Sequence, residues 1–538
     1  MLWKILPRKS DDLIEQLLIN KGLNSEKEKE RFFHPKLISF EKDLQIPGIS
    51  KAIERIKKAI IEGELIIAYG DYDVDGICGA AVLYLGLTSA GAKVLPYIPH
   101  REKEGYGLSP QGLDFAKNSG ASVVITCDTG IVSFDMADYA KDLGLDLIIT
   151  DHHQKLGNKL PNAFATVHSL DLCGAGVAWC LVRDLMGKQK TQDLIEFVSI
   201  ATISDMMPLL GVNRALVVEG LERLNNTKRV GLLALLHESG IKEGEISSYE
   251  IGYIIAPRLN AMGRLEHAID SLRLLCTKDP VKAKKLASLL DETNNRRKEL
   301  TEEAVEKAKE MISHRKKIHV LSSVDWSSGI IGLIAARICE ITTRPTIVIS
   351  LGDSLSRGSA RSANGINIVE AIRQCSDILV AVGGHPGAAG FTIENSKIKE
   401  FQKRIEKVVG DKGISGGAKQ VLEIDAEIGS NELSLPLAKK LNDFEPFGVG
   451  NQRPNFASVN MYLVDVRTVG DGKHLKGKVV DPEQGRRTDG VDFIGFGMGD
   501  LINILSSGQL VDLAYTLDVD KFNGFEKLQL KLKDLKIA

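Results

Sequence analysis

Short apolar runs separated by helical stretches dominate the first half of the chain. Leu65 to Tyr69, Lys93 to Ile98, Ser122 to Cys127 and Leu145 to Thr150 each read as a buried strand, with helical periodicity between most of them. That alternation, over residues 50 to 210, predicts a parallel sheet covered by helices. Residues 1 to 45 read as polar and helical, closing at Phe32-Phe33-His34-Pro35, and residues 210 to 275 read as mostly helical. Val281 to Ile312 is a long polar helical stretch without Gly or Pro, containing Arg296-Arg297-Lys298, and predicts a connector between two domains. A second α/β unit is expected from 317 to 408, with strands at His319 to Ser322, Thr346 to Ser350 and Ile378 to Val382.

Gly410 to Gly417 reads as a flexible link. The alternating runs Ser458 to Val469, His474 to Val480, Val491 to Phe496, Val511 to Phe522 and Lys527 to Leu535 then predict a small β-barrel of the oligonucleotide-binding (OB) kind. The α/β chain thus divides into an N-terminal helical segment (1–48), a parallel-sheet domain (49–278), a long connector helix (279–316), a second smaller α/β domain (317–410) and a C-terminal OB-like β-barrel (411–538).

Composition narrows the function classes. The 538 residues carry a net charge of −2, so there is no global basic field, and any contact with nucleic acid must come from local patches. The seven cysteines are scattered without a Cys-x-x-Cys pair, which argues against a disulfide framework and against a thiolate metal site. The start, Met1 to Pro7, is too short and too soon charged for a signal peptide. No apolar run approaches the ~20 residues of a membrane span. The expectation is a cytoplasmic protein with no membrane partner.

The chemistry gathers at strand ends. In Gly70-Asp71-Tyr72-Asp73-Val74-Asp75-Gly76, three carboxylates alternate directly after an apolar run. Residues two apart in an extended segment face the same way, so the charges converge and need a cation. Asp128 follows the strand ending at Cys127, and Asp151-His152-His153 follows the strand ending at Thr150; Asp205 lies in Ser204-Asp205-Met206-Met207-Pro208. The carboxyl ends of parallel strands share one edge, so sites far apart in sequence can meet there. An aspartate after a strand is often only a helix cap. The Asp-x-Asp-x-Asp loop lacks the later glutamate of an EF-hand. Together, the oxygen-rich set with imidazoles suits Mn²⁺ or Mg²⁺, two ions bridged by Asp75 or Asp128, and hence phosphoester hydrolysis.

A substrate side is also present. Arg101 lies in Pro99 to Gly107; Ala256 to Arg264 carries Arg258, Asn260 and Arg264; Gly358 to Ser362 carries Ser359, Arg361 and Ser362. Val382 to Gly390, with Gly383, Gly384 and His385, reads as a glycine-rich loop after a strand, able to offer backbone N–H groups to phosphate. For a lone arginine a surface salt bridge is the commoner role, and the pairing with an anion-demanding metal site is what favours function.

These motifs resemble the DHH phosphoesterase superfamily: Gly70 to Gly76, Asp128-Thr129-Gly130, Asp151-His152-His153 and Asp205 match its four motifs in order. Ala256 to Leu265, Gly358 to Ser362, Gly383 to Ile393 and Glu445 to Asn451 are similar to the RecJ branch, from Phe32 to the C-terminus. The resemblance implies a 5′-to-3′ exonuclease that degrades single-stranded DNA to 5′-mononucleotides in repair and recombination. It implies metal on Asp73, Asp75, Asp128, His152 or His153, and Asp205, with Asp71 and Asp151 at or beside the ions. Asp75, Asp128, His152 and His153 are the expected catalytic set. Arg258, Ser359 and Arg361 would grip the 5′-terminal phosphate, and Arg101, His385, Gly383 and Gly384 would border the scissile one. The barrel would hold single strand, with Tyr462, Phe493, Phe496, Tyr515, Phe522 and Phe525 as aromatic candidates. RNA remains open as a substrate, a helicase or single-strand-binding protein as partner, and a monomer is the family expectation. The alternatives are a phosphodiesterase acting on short RNA or oligonucleotides, and a non-catalytic replication scaffold. Tyr69, Thr129 and Pro386-Gly387 depart from the family pattern, where His, Cys or Asn, and an Ala-Met-like pair are common.

Overall fold

The first residues form a strand rather than the expected helix. In the computed structural model, β1 (Leu2–Ile5) pairs in parallel with residues Val421–Ile424, Leu2 opposite Val421. Trp3 accounts for this: it packs on Ile424, Ala457 and Ala514, and its indole N–H donates to Asp534 at 2.8 Å. Two helices follow, α1 (Leu13–Asn20) and α2 (Glu26–Phe33), the second opened by a Ser25–Glu28 capping box. The structure describes residues 1–313, 315–363, 365–411, 421–481, 490–520 and 524–538. They fall into two units, one of residues 42–207 and 216–418, the other of residues 1–41, 208–215 and 419–538.

In the larger unit, α3 (Ile49–Glu62) leads into a parallel sheet of β2 (Leu65–Gly70), β3 (Lys93–Tyr97), β4 (Ala121–Cys127), β5 (Asp146–Asp151) and β6 (Ala165–His168). The spatial order is β3-β2-β4-β5-β6. Helices α4 (Val74–Ser89), α5 (Pro110–Asn118) and α6 (Phe134–Asp142) make crossovers, and α7 (Gly174–Met186), after β6, packs with them on the sheet. With both faces covered, the central strands are almost wholly apolar. Strand order reverses between β2 and β4, and the crevice outside their carboxyl ends is the expected ligand site of such a sheet.

The helical stretch holds α8 (Ile195–Ser204), α9 (Gly211–Leu224), α10 (Val230–Glu238) and the short α11 (Ser248–Glu250). A π-helical turn, Ile251–Ile255, runs into α12 (Ala256–Leu265), followed by α13 (Ile269–Cys276). The connector is α14 (Pro280–Glu310), 31 residues and therefore about 46 Å long. Asp279 caps it by accepting from the N–H groups of Val281 and Lys282.

The second sheet differs from expectation. Its order is β10-β11-β9-β8-β7, built from β7 (His319–Ser323), β8 (Thr346–Ser350), β9 (Leu355–Arg361), β10 (Ala381–His385) and β11 (Ala388–Glu394), with α15 (Ile331–Thr342), α16 (Ile368–Arg373) and α17 (Ile398–Asp411). Ser376–Ile378 is a 3₁₀ turn, so the strand expected from Ile378 begins at Ala381. The stretch read as a glycine-rich loop is a hairpin, Gly383 opposite Gly390 and His385 opposite Ala388.

The smaller unit is the barrel: β12 (Val421–Ile424), β13 (Ala426–Glu427), α18 (Leu435–Lys440), β14 (Phe456–Val469), β15 (His474–Val480), β16 (Val491–Gly495), β17 (Leu510–Asp520) and β18 (Lys527–Ile537). β17 pairs with both β18 and β14, which closes the sheet. Leu13, Leu17 and Phe32 from the N-terminal helices share its core. Phe493 and Tyr515 are also in that core and cannot stack on bases, whereas Phe496 and Phe525 are exposed. Phe522 lies outside the described residues, as does the expected link beyond Asp411. Among the described residues no helix is long and apolar enough to cross a membrane.

Candidate metal centre and anion pocket

The carboxylates converge at the switch point. Asp71 and Asp73 follow β2, Asp75 lies in the first turn of α4, Asp128 follows β4, and Asp151 ends β5 with His152 and His153 directly after. Asp205 comes from the end of α8. His152 Nε2 lies 3.1 Å from Asp128 Oδ1 and 3.6 Å from both Asp75 Oδ2 and Asp205 Oδ2. Ligand atoms of three sets each lie within 4.8 Å of one another: Asp128, His152 and His153; Asp75, His152 and Asp205; Asp71, Asp73 and Asp128. The sequence motifs at 71–75, 128, 152–153 and 205 therefore meet in space.

Local structure holds each carboxylate in place. Asp73 caps α4, accepting from Gly76 N–H at 3.1 Å. A side chain at Gly76 would come within 2.4 Å of the Asp71 nitrogen, so the tight return from β2 into α4 requires glycine. Asp75 accepts from Gly174 and Ala175 N–H at 2.6 and 2.7 Å, at the positive end of α7. Asp128 adopts φ of +62° and Met206, next to Asp205, +57°. Such strained backbone clusters at functional sites.

The electrostatics call for cations. Asp71 Oδ1, Asp128 Oδ1 and His152 Nε2 are buried and make no hydrogen bond. Burial, then the neighbouring Asp205 and Asp73, push Asp75 up to about 8. Burial and Asp73 push Asp205 up to about 7. Asp71 and Asp128 are raised too, by burial first and by the carboxylates beside them second. Burial and then His153 pull His152 down to about 4, leaving a neutral imidazole fit for metal. Unpaired oxygens around a neutral imidazole fit Mn²⁺ or Mg²⁺.

Asp151, expected at or beside the ions, makes hydrogen bonds with both of its carboxylate oxygens. Its Oδ2 accepts from Ile131 N–H at 2.8 Å, and its Oδ1 accepts from His152 and His153 N–H at 2.7 and 3.1 Å and meets His153 Nδ1 at 2.8 Å. Oδ2 thus ties the loop at Ile131, while Oδ1 holds the backbone of both histidines and the His153 ring. Burial pulls His153 down, yet this contact outweighs it and lifts His153 to about 8. Tyr106, which the motif reading passed over inside its quoted segment, places its hydroxyl 3.1 Å from His153 Nε2.

The substrate-side residues divide. The Arg101 guanidinium lies over the Tyr72 ring at 4.8 Å. Arg264 is driven down to about 9 by burial and by Arg101, Arg297 and Arg361 nearby, and Arg361 is lowered by burial. A cluster of guanidiniums in which like charges outnumber the carboxylate of Asp73 beside Arg264 is a candidate anion pocket. Ser359 and Arg361 stand at the N-terminus of α15: a side chain at Gly332 would meet Arg361 Nη2 at 3.1 Å and Ser359 Oγ at 3.2 Å. Gly383 lies in one row across the sheet with Gly390 and Ser359, and His385 with Ala388 and Arg361, so small residues leave that face open; Gly384 lies between these rows, opposite Ala389. Asn260 is half-buried on α12.

Two of the expected substrate-side residues have partners of their own. Arg258 is bound by Asp291 at 2.8 Å, which already neutralises it. The Ser362 hydroxyl donates to the Ile366 carbonyl and closes the turn after β9. The sequence reading also missed Asn294 and Arg297 on α14. The Asn294 amide is buried with neither polar atom hydrogen-bonded, and Arg297 Nε is likewise unpaired. Their signal, polar residues on the buried side of a helix read only as a connector, was present in the sequence.

Comparisons with known proteins accord with this geometry. Residues 65–203 match the DHH family N-terminal domain, 315–411 the DHHA1 domain and 424–534 the RecJ OB domain. The chain is 34% identical over 541 residues to the single-stranded-DNA-specific exonuclease RecJ of Bacillus subtilis, covering 98% of this chain and 68% of that protein. The crystal structure of RecJ in complex with Mn²⁺ from Thermus thermophilus superposes with a TM-score of 0.85 at 28% identity, over 100% of this chain and 80% of that one. Its Mg²⁺ counterpart gives 0.80 at 27% identity, over 100% and 78%.

Proposed function

The chain belongs to the RecJ family of the DHH superfamily, and from that premise we propose that it removes 5′-mononucleotides from the 5′ end of single-stranded DNA, in repair and recombination. It is a metal-dependent nuclease of the DHH family, with Mn²⁺ or Mg²⁺ as its cofactor. The observation that carries the reading is the set of buried ligand atoms on Asp71, Asp128 and His152 that crowd the sheet's switch point without a hydrogen bond.

Asp73, Asp75, Asp128, His152 and Asp205 hold two ions in this reading, with Asp71 and His153 alongside. Held there, such ions would supply charge neutralisation for the phosphodiester and a more acidic water. Asp151 orients the His153 imidazole, as the partners of metal-bound imidazoles commonly do, and holds the His152 backbone. Ser359, Arg361, Arg264 and the α15 N-terminus bind the terminal phosphate, which selects a free 5′ end. Arg101 borders the scissile phosphate. The barrel binds single strand by phosphate contacts and stacking. Cytoplasmic location, a monomeric state and supply of the strand by a helicase or a single-strand-binding protein belong to the same reading.

The test is release of mononucleotides with Mn²⁺ from a 5′-phosphorylated single strand, a duplex and a short RNA side by side. Activity is expected on the single strand, and Asp128→Asn should lower it about 1,000-fold or more, as loss of charge stabilisation in a dry site does. Undiminished release by the variant would sink the metal assignment. Equal cleavage of the duplex would sink the strand preference, and faster cleavage of the RNA would favour the short-RNA reading.

A further inference from the structure

Strand β9 carries more than the terminal-phosphate residues. Its burial alternates, with Ser356, Gly358 and Ala360 inside and Arg357, Ser359 and Arg361 on the opposite, half-exposed face. Two residues before Ser359, the Arg357 guanidinium donates to two successive main-chain carbonyls of another domain: Arg101 at 3.2 Å and Glu102 at 2.7 Å. Ser328 Oγ donates to the Glu102 carboxylate at 2.8 Å. The segment so gripped, His100 to Gly107, carries Arg101 over Tyr72 and Tyr106 against His153.

The far side of this segment is anchored to the sheet instead. Glu104 accepts from the Tyr97 hydroxyl at 2.8 Å, the Ser109 hydroxyl at 2.6 Å and the His100 N–H at 2.7 Å. Gly105 and Gly107 have φ of +87° and +88°, so the backbone turns sharply on both sides of Tyr106. The segment is thus fixed at one end by the metal-bearing domain and at the other by β9.

We propose that Arg357 is a positioning residue that latches the His100–Gly107 segment, so that the strand recognising the 5′-terminal phosphate also places Arg101 at the scissile one. The inference rests on the substrate reading of Arg101, Ser359 and Arg361. Arg357 suits this task because a planar fork can span two adjacent carbonyls, which a lysine ammonium cannot do with the same geometry. The pairing is to neutral carbonyls, so charge remains on the guanidinium and adds to the field of the pocket.

The experiment compares R357A, R357K, R101A and R101A/R357A on 5′-phosphorylated single strands with Mn²⁺. R357A should lower kcat/KM about tenfold, the loss of charged hydrogen bonds, mostly in kcat, because Ser359 and Arg361 still bind the end. R357K should recover part of it. The double variant should be no slower than R101A, because both act through one element. Hydrogen exchange of residues 98–109 should quicken in R357A, with the melting temperature unchanged. Multiplicative losses in the double variant, or unaltered exchange in the segment, would overturn the latch. Full activity of R101A would overturn the substrate reading of Arg101, while the exchange result still decides the latch.

Discussion

At the scale of single residues, the metal centre is a collection of groups held out of balance. Asp75 and Asp205, ordinarily near 3.8, are pushed to about 8 and about 7 by burial and by the carboxylates beside them, and His153 is lifted to about 8. A group raised in the folded state binds more protons folded than unfolded, so its stabilisation is full at low pH and is lost as pH rises through the folded value. His152, lowered to about 4, acts in the opposite sense, but only below its ordinary value of 6.5. Between pH 6.5 and 8.5 the slopes of Asp75, Asp205 and His153 all point downward. The metal-free protein should therefore melt at a lower temperature at pH 8.5 than at pH 6.5. Mn²⁺ should raise the midpoint more at pH 8.5, where it replaces the missing protons. Scanning calorimetry with and without Mn²⁺ checks this, and Asp205→Asn should flatten the metal-free slope. A metal-free midpoint that rises across this interval would contradict the assignment. Asp71 to Asp75 and Asp128 were legible in the sequence because they stand directly after apolar strands, whereas Asp205 ends the helix α8. That Asp151 serves the histidines was not, since Asp-His-His spacing is the same for a ligand and for a hydrogen-bond partner.

At the scale of elements, β9 and α15 frame the proposed anion pocket, and Gly332 tests it. Glycine inside a helix costs about 1 kcal/mol relative to alanine. Its retention in the first turn of α15 opposes stability and leaves room beside Ser359 and Arg361. Gly332→Ala should therefore melt no lower than the parent, yet raise KM several-fold for 5′-phosphorylated ends and far less for 5′-hydroxyl ends. Equal KM changes on both ends would place the phosphate elsewhere. The strands β2 to β5 were readable as apolar runs because both faces are covered. β9 (Leu355–Arg361) and the β10–β11 hairpin were not, and the reason is functional. A strand whose half-exposed face carries Arg357, Ser359 and Arg361 and whose buried face includes a glycine loses the apolar alternation that announces a strand. The barrel strands β14 to β18 kept their alternation and lie within a few residues of the runs read from the sequence.

At the scale of the molecule, the smaller unit is assembled from three separated stretches: residues 1–41, 208–215 and 419–538. No local pattern could reveal this, because the pairing of β1 with β12 and the packing of α1 and α2 on the barrel join residues hundreds of positions apart. One side chain ties the three stretches together. Arg214 is fully buried, with its guanidinium over the Phe32 ring at 3.9 Å. It donates to the carbonyls of Phe32 at 2.7 Å, Phe444 at 3.1 Å, Glu445 at 2.7 Å and Pro446 at 3.4 Å. No acidic side chain accepts from it in these bonds, and burial alone lowers it to about 10. The carbonyls of two stretches are therefore satisfied by a residue of the third, and leaving them buried and unpaired is costly. Arg214→Lys keeps the charge but supplies fewer donors in a different geometry, and should destabilise this unit by about 3 kcal/mol. Trp3 reports on this unit, while Trp179 and Trp326 lie in the other. In a W179F/W326F background, urea unfolding followed by Trp3 fluorescence should shift to lower concentration in Arg214→Lys. Deleting residues 1–41 should abolish the cooperative Ile424–Leu535 barrel transition seen by hydrogen exchange, because it removes Phe32 and β1 together. An unchanged Trp3 midpoint in Arg214→Lys, or a barrel that still unfolds cooperatively without its first 41 residues, would show that the three stretches do not fold as one unit.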